Sequence, residues 1–183
     1  RTLITWSESV PEASGRYVDE LLLERGGDLT GLLQSLQPAG AIYFIIDEGD
    51  VERILAYPET MVGSDGLPHD TFPHPRLWGA FPRVLGHYTR DRKLFPLETA
   101  VHKMSGLSAS RFGLHDRGLV RPGYAADLVV FDPDRVADRA TFKDPKLSAA
   151  GIDRVYVNGT LSWHDGATSG ARAGKVLRRS AAR

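Results

Sequence analysis

Residues 41–62 read AIYFIIDEGDVERILAYPETMV, and this stretch predicts one strand–helix–strand unit. The run 41–46 is short, apolar and rich in β-branched and aromatic residues, which is typical of a fully buried strand. Asp47 then stands at an N-cap position before a helix over 48–56, and a brief strand follows at 60–62. Because a helical crossover joins parallel strands, the stretch predicts an α/β fold with a parallel sheet.

Upstream of this unit the chain continues the alternation of strands and helices. A strand is predicted at 3–6, and apolar residues at helical spacing predict helices over 17–25 and 29–36. Asp28 is suited to cap the second of these helices. Downstream, residues 67–96 hold five prolines, which predicts a long irregular loop, and loops of this length in compact domains are often functional.

The last third of the sequence has the pattern of a β structure. Two helices are predicted over 97–104 and 108–112, and from about residue 117 the period changes to that of strands. The segment 126–131 predicts a strand. Asn158-Gly159 separates two short apolar runs, and this pair is a strong hairpin signal because both turn residues must tolerate a positive φ.

The composition excludes several classes of function. The 183 residues include 23 Lys and Arg and 23 Asp and Glu, so the net charge is zero and no nucleic-acid partner is expected. The sequence has no Cys, which excludes disulfides and thiolate metal ligands within it. No apolar run approaches the roughly 20 residues of a membrane span. No signal-peptide pattern precedes the first strand, and we expect a cytoplasmic protein.

Two acidic residues follow predicted strands, where the functional side chains of parallel α/β folds lie. Asp47 follows the strand at 41–46, and helix capping is its favoured interpretation. Asp65 stands in Gly63-Ser64-Asp65-Gly66, where glycines allow a tight turn and a close approach to a ligand. A carboxylate there is suited to bind a metal ion or to accept a proton from a metal-activated water, and an Asx turn is the structural alternative.

Three further candidates, His69, His74 and Arg76, lie in the irregular loop. The histidines are five residues apart, which is not a regular metal-binding spacing, so loop-shaping or substrate-contacting roles are favoured over metal ligation. Arg76 is suited to hold a substrate carboxylate with two hydrogen bonds. A salt bridge between Arg76 and a neighbouring acidic residue is the open alternative.

Six stretches of the sequence carry a resemblance to a known family. They are Gln37–Phe44, Met61–Pro68, Pro73–Gly79, Phe81–Gly86, Ala126–Pro133 and Asn158-Gly159. These stretches resemble the D-aminoacylases, which are N-acyl-D-amino-acid deacylases of the amidohydrolase superfamily. The resemblance covers nearly the whole sequence, and its most specific part is Gly-Ser-Asp-Gly combined with His-Pro-Arg.

The resemblance implies an α/β fold: the C-terminal part of a metal-dependent (β/α)8 TIM barrel plus strands of a small β-sandwich or β-barrel domain. Residues 1–116 would supply the last strands and helices of the barrel, with 41–46 and 60–63 as its last two strands. Residues 117–183 would supply the C-terminal part of the small β domain. Because such a barrel needs about 250 residues, we expect a C-terminal fragment whose partner is the rest of the barrel.

The resemblance also implies roles for individual residues. Asp65 matches the aspartate at the end of the eighth barrel strand, a general base that takes a proton from zinc-activated water and a candidate metal ligand. Arg76 matches the arginine that binds the substrate α-carboxylate. Zinc is the expected cofactor, and its other ligands, a Cys and several His, are expected outside this sequence.

The expected activity is zinc-dependent hydrolysis of the amide bond of N-acyl-D-amino acids, which gives a carboxylate and a D-amino acid. The substrate is then a small molecule, and the isolated 183 residues are expected to be inactive. Two alternatives stay open. One is an amidohydrolase that acts on a cyclic amide or urea, which needs no clamp such as Arg76; the other is a non-catalytic binding or scaffold module.

Overall fold

The computed structural model describes residues 1–178, which fall into two compact units made of interleaved segments. The first unit comprises Arg1–Glu48, Ser64–Trp78 and Ala140–Leu147. The second comprises Gly49–Gly63, Gly79–Arg139 and the residues from Ser148 onward. Each unit has its own buried core. The boundary predicted between a barrel part and a β domain, at residues 116 and 117, stays a prediction.

The first unit is built on two antiparallel strands, β1 (Thr2–Ser7) and β2 (Ala39–Tyr43). The prediction of a parallel sheet is wrong for this pair. Between the strands lie two helices of eight residues each, α1 (Val18–Arg25) and α2 (Leu29–Leu36). The prediction rested on one crossover helix between neighbouring strands, whereas this connection contains two helices and the strands that it joins run antiparallel.

β2 ends earlier than the predicted strand at 41–46. The ladder pairs Tyr43 with Thr2, and Tyr43 is the last residue of β2. The side chains that follow, Ile45 and Ile46, are 83% and 76% exposed. The prediction of a fully buried strand through residue 46 is therefore wrong for the described structure, since β2 ends at Tyr43 and the next side chains are exposed.

The predicted helices of the first unit are confirmed, and they bury one face each. Asp28 caps α2 as predicted, since its Oδ1 accepts a hydrogen bond from the N–H of Gly31 at 2.8 Å. Full burial of each large aliphatic side chain stabilises the unit by about 1.5–3 kcal/mol. The core side chains are Ile4, Ala13, Val18, Leu21, Leu32 and Leu36.

Helix α3 (Glu48–Ala56) begins directly after Asp47, at the predicted position, and the capping role of Asp47 stays a prediction. The brief strand predicted at 60–62 does not form. The N–H of Val62 instead donates to the main-chain oxygen of Lys103 at 3.3 Å. A backbone group that bonds to a helix end is not available to a strand ladder, which is why this strand prediction is wrong.

The irregular loop predicted over 67–96 is helical in its second half. Helix α4 spans Arg76–Arg83 and leads into a π-helical segment at Val84–Asp91. Pro82 lies inside α4, and the proline content of the stretch is the reason why the sequence predicted a loop. The π-helical segment begins two residues after Pro82, and its turns are wider than those of an α-helix.

The remaining elements of the second unit agree with the sequence analysis. Helices α5 (Leu97–Met104) and α6 (Gly106–Phe112) confirm the two predicted helices. The turn residues Asn158 and Gly159 have φ values of 48° and 78°, which confirms the hairpin. An antiparallel sheet follows in the order β3 (Leu128–Phe131), β4 (Ile152–Val157), β5 (Thr160–His164) and β6 (Ala167–Thr168).

The core of the second unit joins its helices to this sheet. Its most buried members are Val84, Leu85, Tyr88, Ala100 and Val136. Phe131 of β3 and Ile152 of β4 pack against them. In residues 1–178 no helix is long and apolar enough to cross a bilayer.

Candidate functional site

Asp65 stands at the tip of a tight turn in the first unit. Its φ of 47° lies in the left-handed region, and the Oγ of Ser64 accepts a hydrogen bond from the N–H of Gly66 at 3.3 Å. A Cβ on Gly66 would lie 2.5 Å from Cδ1 and 2.9 Å from Cα of Leu77, so only glycine permits this approach. The turn therefore rests directly on the start of α4, and 79% of the Asp65 side chain is exposed.

Arg76, the first residue of α4, holds this turn through two contacts. Its Nη2 lies 2.7 Å from Oδ2 of Asp65, and its Nε donates to the main-chain oxygen of Asp65 at 2.8 Å. The two residues predicted as catalytic and substrate-binding thus lie together. The alternative of a salt bridge to a neighbouring acid is also realised, with Asp65 as that acid. The turn bond that the structure shows belongs to Ser64, whose Oγ accepts from the N–H of Gly66, and the alternative of an Asx turn at Asp65 stays a prediction.

His74 contacts the backbone of Arg76. Its Nδ1 accepts a hydrogen bond from the N–H of Arg76 at 3.0 Å, and its ring meets Phe142 edge to face with the ring centroids 5.2 Å apart. Burial lowers the pKa of His74, the positive charge of Arg76 lowers it further, and the negative charge of Asp65 acts in the opposite direction. A lowered pKa keeps the imidazole neutral near pH 7, and only the neutral ring has a nitrogen that can accept this bond.

The first half of the loop is fixed on β1. The N–H of Phe72 donates to the main-chain oxygen of Thr5 at 2.9 Å, and Pro73 is fully buried. The ring of Phe72 lies so close to Gly15 that a Cβ there would stand 2.9 Å from it. The segment that connects Asp65 to Arg76 is therefore anchored by main-chain and aromatic contacts, although the sequence predicted it as irregular.

The sequence analysis missed Phe142, whose ring forms the contact surface for His74. Phe142 also meets Phe44 edge to face, with a centroid separation of 4.7 Å. It belongs to the segment Ala140–Leu147, which the sequence analysis assigned to the β region and which the structure groups with the first unit. A single aromatic residue between two turns carries no periodic signal, so the sequence offered nothing that could have found it.

Residues 1–178 contain no cluster of three or more His, Cys, Asp or Glu side chains that could hold a metal ion. His74 uses its Nδ1 on the backbone of Arg76, so the loop-shaping role favoured for it is confirmed. His69 is exposed on the same loop. Because a zinc site has three or four protein ligands, Asp65 fits as one member of such a site and not as a site by itself.

The sequence is similar to known proteins over its whole length. Residues 29–162 match the model of the Amidohydrolase family. D-aminoacylase of Alcaligenes xylosoxydans xylosoxydans is 63% identical over 182 residues, which are 100% of this chain and 38% of that protein. The chain belongs to the amidohydrolase family. N-acyl-D-aspartate deacylase of the same organism is 52% identical over 177 residues, which are 97% of the chain and 36% of that protein.

Solved structures of this family have the same fold. A crystal structure of D-aminoacylase matches with a TM-score of 0.93 at 63% identity and covers 98% of this chain and 38% of its own. N-acyl-D-glutamate deacylase from Bordetella bronchiseptica, complexed with zinc and a phosphonate inhibitor that mimics the tetrahedral intermediate, matches with a TM-score of 0.92 at 50% identity. That match covers 98% of this chain and 37% of the deacylase.

These matches confirm the family resemblance and the mixed α/β fold class expected from the sequence. They also give the extent of the similarity: the chain spans 38% of the length of the D-aminoacylase that it matches. The roles of Asp65 and Arg76 are not decided by overall similarity, and they stay predictions that rest on the geometry of the turn.

The environment of His74 yields an electrostatic prediction. We expect its imidazole to titrate below the ordinary pKa of 6.5, to shift upward in R76A and to shift further downward in D65N. As the pH falls from 6.5 towards the lower folded-state pKa, the unfolded state takes up the proton first, so the free energy of unfolding decreases. NMR titration of the imidazole measures its pKa in the wild type, in R76A and in D65N. A wild-type pKa above 6.5, or a pKa that neither substitution changes, contradicts this description of the site.

Proposed function

We propose that this chain supplies the proton-transferring and carboxylate-binding groups of a zinc-dependent hydrolase of N-acyl-D-amino acids. The reaction gives a carboxylate and a D-amino acid. The observation that carries the proposal is the direct pairing of Asp65 with Arg76 at 2.7 Å on one turn. It is supported by relatives described as D-aminoacylase, N-acyl-D-aspartate deacylase and N-acyl-D-glutamate deacylase, which match 97–100% of the chain.

Asp65 is suited to move the proton of this reaction. Its carboxylate is largely exposed, its turn is held by Arg76, and the ion pair uses only one of its two oxygens, Oδ2. In the proposed mechanism the carboxylate takes a proton from the attacking water and delivers it to the nitrogen of the leaving amine. Amine departure requires that proton, since an unprotonated amide nitrogen is a poor leaving group, so one residue serves as base and then as acid.

Arg76 is suited to recognise the α-carboxylate that every N-acyl amino acid carries. Its guanidinium has five N–H donors, and the turn of Asp65 occupies Nε and Nη2. Nη1 lies outside these two contacts and can donate to a substrate carboxylate. The positive charge then balances two carboxylates, that of Asp65 and that of the substrate, which fixes the scissile amide next to the base.

Zinc belongs to the proposal as the Lewis acid that activates the water nucleophile and polarises the amide carbonyl. Among residues 1–178, Asp65 is the residue that we propose as a ligand, or as the acceptor of the proton of the activated water. The other ligands, expected as a Cys and several His, would come from parts of the protein that precede this segment. The deacylase from Bordetella bronchiseptica, whose solved structure contains zinc, supports this choice of metal.

The complete protein is proposed to form a (β/α)8 barrel to which this chain contributes its closing part. Exposed apolar side chains of the first unit support the presence of a partner that covers them. Leu23, Ile45 and Ile46 are all more than 75% exposed. The partner in the proposal is the rest of the same barrel, and the location is cytoplasmic. The alternatives of a cyclic-amide hydrolase and of a non-catalytic module are outcomes of the experiment below.

The proposed function is tested with the full-length gene product and a panel of N-acetyl-D-amino acids, their L enantiomers and a cyclic amide. We expect hydrolysis of the D substrates only, loss of activity after chelation and recovery with added zinc. Turnover of the cyclic amide alone would favour the first alternative. No turnover of any amide by the zinc-loaded protein would favour the non-catalytic module.

Replacing Asp65 by Asn removes the proton acceptor and keeps the size of the side chain. We expect kcat to fall by about 10²–10⁴-fold, the usual contribution of a positioned acid–base group, while KM changes little. Steady-state kinetics measure both. D70N, the same chemical change in the same loop, serves as the control and should retain wild-type kcat; a D65N enzyme with unchanged kcat would remove Asp65 from the mechanism.

Replacing Arg76 by Ala removes the proposed contact with the substrate carboxylate. We expect KM to rise at least tenfold, because the contact is made in the ground state and the transition state alike, and kcat to fall by a smaller factor, because R76A also removes the two contacts that hold Asp65. The matched substrate is an N-acyl-D-amino acid amide, which lacks the carboxylate: wild type and R76A should have similar KM values for it. A fall in kcat without a rise in KM contradicts the carboxylate-binding role. The role is also contradicted if the ratio of the KM values for the two substrates is the same in wild type and R76A.

A further inference from the structure

The ring of Phe142 contacts two other rings of the first unit. It meets the imidazole of His74 with the centroids 5.2 Å apart and the ring planes inclined by 77°. It meets Phe44, which directly follows β2, with the centroids 4.7 Å apart and the planes inclined by 61°. Aromatic rings prefer such edge-to-face contacts, because the positive edge of one ring faces the negative face of the other. Phe142 is therefore packed against the sheet side of the unit and against His74 at once.

The backbone that carries Phe142 is a tight turn over residues 141–144. The Oγ1 of Thr141 accepts hydrogen bonds from the N–H of Lys143 at 3.2 Å and from that of Asp144 at 2.9 Å. The N–H of Thr141 donates to the main-chain oxygen of Asp144 at 3.0 Å. Pro145 follows, is buried and has a fixed φ. A ring on so short and closed a turn has few alternative positions, so it offers His74 a fixed surface.

His74 caps the beginning of α4. The first N–H groups of a helix have no acceptor within the helix and need one from outside it. The Nδ1 of His74 accepts from the N–H of Arg76 at 3.0 Å, and its main-chain oxygen accepts from the N–H of Leu77 at 3.1 Å. One residue therefore supplies acceptors for the first two amides of α4, and the first of these belongs to the arginine of the candidate site.

The side-chain part of this cap depends on the orientation of the imidazole. The torsion that turns a histidine ring has broad minima, so the side chain alone does not select the orientation in which Nδ1 points at the amide. A hydrogen bond weakens steeply when its angle departs far from linear. An imidazole that rotates out of this orientation would also lose its edge-to-face contact with Phe142. The contact therefore favours the orientation that the cap requires.

We propose that Phe142 is a positioning residue for Arg76: its ring holds the imidazole of His74 in the orientation in which Nδ1 caps the first residue of α4. This inference rests on the proposed function, in which Arg76 binds the carboxylate of the substrate. Phe142 acts on the arginine through His74, from a turn that lies far from both residues in the sequence.

The expected consequence concerns substrate binding more than the chemical step. Two contacts still join the guanidinium of Arg76 to Asp65 when the cap is lost, so the position of the acid changes little. The backbone of Arg76, however, would no longer be fixed through His74. Binding of the substrate carboxylate would then have to order the arginine as well, and this ordering lowers the affinity.

The test compares three variants of the full-length, zinc-loaded protein. F142A removes the ring, whereas F142L keeps much of the apolar volume without an aromatic edge. F112A is the matched control, because Phe112 ends α6 in the second unit and is 63% exposed. Kinetics are measured with an N-acyl-D-amino acid and with its carboxamide, which lacks the carboxylate. Hydrogen exchange of the Arg76 amide is measured for each protein.

We expect the KM of F142A for the N-acyl-D-amino acid to rise about 3–10-fold, the usual cost of ordering one long side chain on binding. Its kcat should change less than its KM, its KM for the carboxamide should match wild type, and its Arg76 amide should exchange faster. F142L should lie between F142A and wild type, and F112A should match wild type throughout. If F142A does not fold, F142L carries the test with the same pattern at a smaller size.

The inference is overturned if both Phe142 variants retain the wild-type KM and the wild-type exchange of the Arg76 amide. It is also overturned if KM rises equally for the two substrates, if kcat falls while KM stays unchanged, or if F112A has the same effect. Each of these results would indicate a general loosening of the protein or no link to Arg76. Absence of turnover in the wild-type protein contradicts the proposed function instead. The exchange of the Arg76 amide in F142A then decides whether Phe142 holds the cap.

Discussion

The candidate site depends on the pairing of Arg76 with Asp65, which involves both the charged side chain and the main chain of Asp65. Its guanidinium contacts both the carboxylate and the main-chain oxygen of Asp65, so it fixes where the acid stands as well as how its charge is balanced. An ion pair this exposed contributes little to stability on its own, on the order of 1 kcal/mol or less. The ion pair instead orients the acid, because the planar guanidinium sets both the distance and the direction of the Asp65 carboxylate.

The surroundings of Arg76 explain why this geometry is possible. His74 accepts its backbone N–H, Gly66 lets the turn touch the first residues of α4, and Phe72 ties the loop to β1. Each of these contacts lies within twelve residues of Asp65 along the chain, except for the strand that receives Phe72. The contacts around Asp65 are thus made largely by residues close to it in the sequence, with further support from β1 and Phe142.

Local patterns were the part of the structure that the sequence predicted well. Side chains close in sequence determine helix α2, with its Asp28 cap, and the hairpin at Asn158-Gly159. The turn that carries the candidate acid Asp65 also follows from its flanking glycines. Predictions that needed distant partners failed: residues 60–62 were predicted as a strand, but the N–H of Val62 donates to Lys103, and β1 and β2 pair antiparallel instead of parallel. The region around Pro82 was predicted as a loop because proline is rare inside helices, whereas the structure places Pro82 within α4.

We propose that Arg76 holds Asp65 and the substrate carboxylate at the same time. The most direct test is a crystal structure of the full-length zinc-loaded protein with a non-hydrolysable N-acyl-D-amino acid analogue. We expect Arg76 within hydrogen-bond distance of both the main-chain oxygen of Asp65 and the carboxylate of the analogue, with the Asp65 carboxylate facing the scissile bond. An analogue carboxylate bound elsewhere, or an Asp65 side chain turned away from the reacting group, would contradict it.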